Sequence, residues 1–189
     1  ILFNSFKRPE SISEGDYELT YTYGPDQERI RGVWKKNGTI EKTRIYASNF
    51  EINEIVGGPK HEICYISSPN GLCAMYVKDV NTGVGGALHY TYTDNLGSII
   101  AVTDDAGTVE ARQNFDAWGR RRNALTYAYL QQNTPNIHNG LTGLNSTGNL
   151  PTWLYRGYTG HEMLDEFTLI NMNARLYDPV VGMMLSCDN

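Results

Sequence analysis

The sequence predicts an all-β chain made of successive antiparallel hairpins. Three observations carry that prediction. Short segments alternate polar and apolar residues, the period of a strand with one buried face. Turn signals built on Gly, Asn, Asp and Pro recur every ten to fourteen residues, enough for roughly a dozen strands. Thirteen tyrosines and nineteen glycines among 189 residues suit half-buried pleated surfaces joined by turns of positive φ.

The elements follow in order. Residues 18–23 alternate around Leu19 and Tyr21 and close at Gly24-Pro25-Asp26, and residues 29–34 return. Asn37-Gly38 is a strong hairpin signal, followed by a strand at 41–47 around Ile45 and Tyr46. A strand within 48–55 ends at Gly57-Gly58-Pro59. Residues 62–66 and 72–77 flank Asn70-Gly71, and 78–86 reads as loop. Leu88, Tyr90 and Tyr92 then alternate with His89, Thr91 and Thr93; residues 98–103 form a compact apolar strand; Val109, Ala111 and Gln113 share one side of the next. Residues 124–153 form a loop-rich insertion, with a short helix or strand at 124–130. Strands are expected at 154–158, 169–177 and 183–185, and one short helical turn within 161–167.

Composition bounds the function. Forty per cent hydrophobic residues can build a core, and a net charge of −5 argues against a nucleic-acid partner. No run reaches the length of a membrane helix, and no targeting signal is legible. Cys64, Cys73 and Cys187 are an odd set. Cys64 and Cys73 could face each other across a hairpin; buried free thiols are the preferred reading. No cysteine or histidine spacing suits a metal, so neither metal nor cofactor is expected. Arg120-Arg121-Arg122 reads as a solvated turn.

Three phrases lie close together: Asp94-Asn95-Leu96-Gly97, Asp104-Asp105-Ala106-Gly107 and Asp116-Ala117-Trp118-Gly119, at steps of ten and twelve residues. That spacing is too wide for one calcium loop, so turn capping by Asp is the favoured role. With Tyr90-Thr91-Tyr92 before them and Phe115-Asp116 to Gly119-Arg120 at the end, they resemble the tyrosine-aspartate (YD) repeat of Rhs proteins. The repeat motif falls on Tyr90, Tyr92, Asp94, Gly97, Asp104, Gly107, Phe115, Asp116, Gly119 and Arg120. Tyr155-Arg156-Gly157-Tyr158-Thr159-Gly160, Asp165-Glu166 and Ala174-Arg175-Leu176-Tyr177-Asp178-Pro179 are similar to the Rhs repeat-associated core. The resemblance divides the chain into hairpin repeats at 1–123, the insertion at 124–153 and a truncated core segment at 154–189 packed in the same domain.

What the resemblance implies is a curved sheet, part of a shell that encloses a C-terminal effector or toxin of a larger bacterial protein, secreted or at the cell surface. Its partners would be the remaining repeats and that cargo. The family's aspartyl autoproteolysis carries over only to Asp188, where the first Asp-Pro-x-Gly-Leu motif would begin. Here Asn189 replaces the Pro and the second motif is absent. An aspartyl mechanism needs two carboxylates sharing a proton, so autocleavage by this piece is not expected. Asp178 and Arg175 are the other catalytic candidates, read first as a turn opener and a strand-edge ion pair. His161-Glu162 with Asp165-Glu166 offers an acid and a base but no nucleophile. Two further readings are a carbohydrate- or surface-binding module using exposed Tyr and Trp, and a partial aspartyl autoprotease. The tyrosines are expected in the core, and open sheet edges would favour an edge-strand homodimer.

Overall fold

The computed structural model describes residues 1–129 and 150–187. The chain is all-β. An eleven-stranded sheet runs in sequence order: β1 (Leu2–Phe3), β2 (Pro9–Glu14), β3 (Tyr17–Tyr23), β4 (Arg29–Lys36), β5 (Thr39–Ala47), β6 (Phe50–Ile55), β7 (Lys60–Ser68), β8 (Gly71–Asp79), β9 (Ala87–Thr93), β10 (Ile99–Thr103) and β11 (Val109–Arg112). Each strand is antiparallel to the next, and the sheet does not close into a barrel. The short connections dictate this order, since antiparallel strands can be joined by tight turns and parallel ones cannot. A two-stranded ladder, β12 (Asn114–Phe115) with β13 (Arg121–Arg122), follows. A four-stranded sheet ends the fold: β14 (Glu162–Leu164), β15 (Leu169–Met172), β16 (Arg175–Asp178) and β17 (Met183–Met184).

One face of the large sheet is covered. Leu19, Tyr21 and Trp34 pack with Leu164, Phe167, Leu169 and Leu176. Ile63, Met75, Val77, Ile99, Val102 and Ala111 pack with Leu150, Trp153, Leu154 and Tyr155. The two main clusters thus join the early strands and the late strands of the sheet, respectively, to the C-terminal segment, each fully buried aliphatic contributing about 1.5–3 kcal/mol. The alternation around Leu19 and Tyr21, and the Ala111–Gln113 side of β11, point inward as the sequence indicates.

Several local expectations are corrected. Residues 154–158 form no strand; they make isolated bonds, Met163 N–H to the Tyr155 carbonyl and Ile99 N–H to the Gly157 carbonyl, because Gly157 takes an irregular backbone. Residues 169–177 are two strands, split by a tight turn at Asn173, whose φ is 65°. The helical turn is confined to Asp165–Phe167, since Glu162–Leu164 pairs as a strand, and a second short turn lies at Tyr158–Gly160. β2 escaped the alternation rule because Ile12 is its one large apolar residue. The His89 register is also reversed: His89 points inward beneath Trp153, leaving Tyr90 and Tyr92 exposed rather than in the core. Cys73 and Cys187 are exposed, and Cys64 sits opposite Tyr76, so the thiols are free but not buried as a set. Of the predicted insertion, residues 130–149 lie outside the described residues.

Candidate functional site

Inward positions of the large sheet carry cations as well as apolar groups. Arg29 opens β4, and Lys42 and Arg44 lie two apart on β5, so strand periodicity aims both the same way. The C-terminal segment presents acids in return. Glu162, its side chain fully buried, accepts from Arg44 through Oε1 and meets Arg29 through Oε2 at 3.2 Å. The Tyr46 hydroxyl donates to the same Oε1 at 2.9 Å. Glu166 pairs with Lys42 at 2.5 Å, and Asp165 with Arg121 at 3.2 Å. One pair runs the other way: Arg156 of the C-terminal segment reaches Glu51 on β6.

Polar and aromatic neighbours complete the seam. Glu51 also accepts from the hydroxyls of Tyr155 and, at 2.8 Å, Tyr65. Arg44 donates through Nε to Asn53 at 3.2 Å, and Asn53 in turn donates to the Thr152 carbonyl at 3.3 Å. The Arg44 guanidinium lies between the rings of Trp34 and Tyr155, 4.7 and 3.3 Å from their centroids. Arg29 sits 4.1 Å from the Tyr46 ring centre and 5.1 Å from that of Tyr21. Stacking of this kind offsets part of the cost of burying a guanidinium.

Burial by itself would raise the Glu162 carboxyl, but Arg29, Arg44, Arg156 and the Tyr46 hydroxyl outweigh it and hold the group at about 2. Burial raises Tyr21 and Tyr65, and the carboxylates of Glu162 and Glu51 respectively push in the same direction. The carboxylate therefore stays ionised and those phenols stay protonated. His161 is held down by burial and by Arg156, and its Nδ1 shares a bond with Thr159 at 2.8 Å. Such a site holds two surfaces together.

The sequence candidates fall elsewhere. Asp188 lies outside the described residues. Asp178 Oδ1 accepts from the Val180 and Val181 amides at 2.8 and 3.3 Å, as a turn opener does. Arg175 begins the same strand, opposite Met172. Asp94, Asp104 and Asp116 each accept two backbone amides through Oδ1, at i+2 and i+4, over 2.7–3.0 Å. Gly97, Gly107 and Gly119 supply φ of 83°, 81° and 90° in those turns. Asn4 builds a fourth such turn, with Lys7 at φ 58° in the Gly place. Phe115 packs near Tyr158, rings 5.9 Å apart, and Arg120 lies over Tyr129. The solvated-turn reading of Arg120-Arg121-Arg122 is overturned at its centre: Arg121 is buried, bound to Asp165 and Gln113. Arg29, Arg44 and Glu51 were missed as functional residues. No local signal marks them, because their partners lie far off in the sequence, Glu162 being 118 positions from Arg44.

The fold and seam define a class: an open antiparallel β-meander clasped by its own C-terminal segment. Solved structures share this fold. TcdB2-TccC3 matches with a TM-score of 0.71 and 15% identity over 99% of this chain and 9% of that one. TcdB2-TccC3-Cdc42 matches at 0.68 and 14% over the same shares. The Photorhabdus luminescens Tc holotoxin pore matches at 0.65 and 14%, over 100% of this chain and 9% of that one. The chain thus spans about 9% of the length of each, and the likeness is one of fold. No protein-family model and no curated protein matches the chain.

Proposed function

We propose that this chain is a wall segment of an Rhs/YD-repeat shell, closed from inside by its own C-terminal segment, which in the parent protein encloses a C-terminal effector. The observation that carries the reading is the charged seam: acids at Glu162, Asp165 and Glu166 meet cations at Arg29, Lys42 and Arg44 on the large sheet and Arg121 on β13. A sheet whose strands follow chain order, with β1 and β11 as its edge strands among the described residues, suits a wall continued by further repeats. The fold of the Tc complexes supports the same reading. On it, the parent is exported or displayed on a bacterial surface.

Limited proteolysis of the parent protein tests this. Sequence downstream of residue 189 should resist protease in the intact parent and become sensitive when Glu162→Gln weakens the seam. Equal digestion of that sequence in both forms, at the rate of the isolated downstream peptide, refutes enclosure. A second reading has one observation in its favour: Tyr76, Tyr90 and Tyr92 stand 41%, 43% and 52% exposed on neighbouring strands, a surface on which sugar rings can stack. Titration with oligosaccharides, read by chemical shifts of the tyrosine rings, settles it; unmoved shifts across many glycans sink that reading.

A further inference from the structure

Of the three Asn-Gly pairs in the sequence, the two among the described residues sit in chemically different turns. Asn37 and Gly38 are the loop residues between Lys36 and Thr39, which face each other across β4 and β5. Their φ values of 49° and 78° are the two positive angles of a type I′ turn. Both residues are exposed, and no atom lies within 4 Å of where a Cβ on Gly38 would stand. The Asn37 amide is fixed by the Asp16 carbonyl at 2.8 Å, whereas the Gly38 amide has no hydrogen-bond acceptor among the described residues. Gly71 differs. It opens β8 opposite Ser68, inside the ladder, and its carbonyl accepts from the Ser68 hydroxyl at 3.2 Å. The Asn70 amide is held by that same hydroxyl at 3.2 Å.

We propose that Asn37 is a self-modification site, at which the hairpin tip loses its side-chain amide with water as the only co-reactant. The Gly38 nitrogen attacks Cγ of Asn37 and forms a C–N bond, its proton passing to a solvent base. The Cγ–Nδ2 bond breaks and ammonia departs, leaving a five-membered imide. Water then adds to either imide carbonyl and reopens the ring as the aspartyl or the isoaspartyl form, with no change of oxidation state. The attack is intramolecular, and glycine leaves its nitrogen unshielded. The isoaspartyl product carries one more main-chain carbon, so a two-residue I′ turn no longer fits between Lys36 and Thr39. The product also gains a carboxylate at this tip.

The test follows both sites in one sample. The folded chain is incubated at mildly alkaline pH and digested, and the amide-to-acid mass gain is measured by mass spectrometry at Asn37 and Asn70. Releasing Gly71 from the ladder forfeits a net hydrogen bond of about 1 kcal/mol, which converts to conversion at Asn37 about fivefold faster than at Asn70. In concentrated urea the two sites should convert at equal rates, because the difference belongs to the turns. Conversion at Asn70 as fast as at Asn37 in the folded chain overturns the proposal. So does a native difference that survives unchanged in urea, which would assign it to Lys36 and Pro69 as neighbours instead of to the fold.

Discussion

Replacing Glu162 by Gln keeps the side chain's shape and removes its charge. Arg29 and Arg44 are then left buried between aromatic rings with no carboxylate between them. The magnitude can be worked from the carboxyl's own titration. It moves from the ordinary 4.5 to about 2, and at about 1.4 kcal/mol per unit this amounts to about 3 kcal/mol. Breaking a buried pair by deleting one partner costs about 3–5 kcal/mol in other proteins, in the same range. The direction with pH follows. The folded-state value is depressed, so the stabilisation is complete above the unfolded-state value and disappears as pH falls through the folded one, between about 5 and about 2. Urea unfolding followed by tryptophan fluorescence at neutral pH should show the Gln variant about 3 kcal/mol less stable. The acid limb of its stability profile should be shallower than that of the wild type across this window. A variant within about 0.5 kcal/mol of wild type, or one with the same acid limb, refutes the claim that the seam holds the two surfaces together.

Four further outcomes are expected. Gly119→Ala should destabilise by about 2–4 kcal/mol, since a Cβ there would approach the Tyr158 ring at 2.6 Å on a backbone with φ 90°. Gly107→Ala, with similar φ and open space around it, should cost only about 1–2 kcal/mol; thermal melts of the pair measure the difference, and equal losses would deny the Tyr158 contact any part in it. Asp104→Ala removes an acceptor from two exposed amides and should lower stability by about 1 kcal/mol in the same assay, no change counting against the turn-capping role. At high concentration the chain should dimerise through an open edge, where Leu2 is 66% exposed; a clean monomer by light scattering would contradict this.

The fold was legible because its turns are local. Asn37-Gly38, Asn70-Gly71 and the Asp-to-Gly phrases each specify a reversal from a few residues, and reversals at short intervals leave an antiparallel meander as the natural outcome. The seam was not legible, because its pairs join residues far apart in sequence, such as Arg44 and Glu162, 118 positions from each other. Nothing local marks Arg44 as buried. Side-chain direction also failed at Tyr90 and Tyr92. Alternation tells that His89 and Tyr90 lie on opposite faces, but not which face the C-terminal segment covers; Trp153 decides that by packing on His89, their tilted rings 4.4 Å apart.

The three Asp-to-Gly turns share one hydrogen-bond pattern yet differ in what they touch, and strand direction explains the difference. β9 and β11 run the same way because β10 lies antiparallel between them. The turns that follow β9 and the β11–β12 stretch therefore emerge at one end of the sheet, and the turn after β10 at the other. At the first end, Ser98 Oγ accepts from the Thr159 amide at 3.1 Å, and the Tyr158 hydroxyl donates to the Ala117 carbonyl at 2.9 Å. Gly119 is buried beneath the Tyr158 ring, and Trp118 packs on Gly182. The middle turn, Gly107 included, is exposed and makes no such contact among the described residues. A repeated phrase thus serves as plain punctuation at one end of the strands and as a grip for residues 157–160 at the other. That is why the third phrase needs Gly for space as well as for φ, and why its loss should weaken the clasp while loss of the second should not.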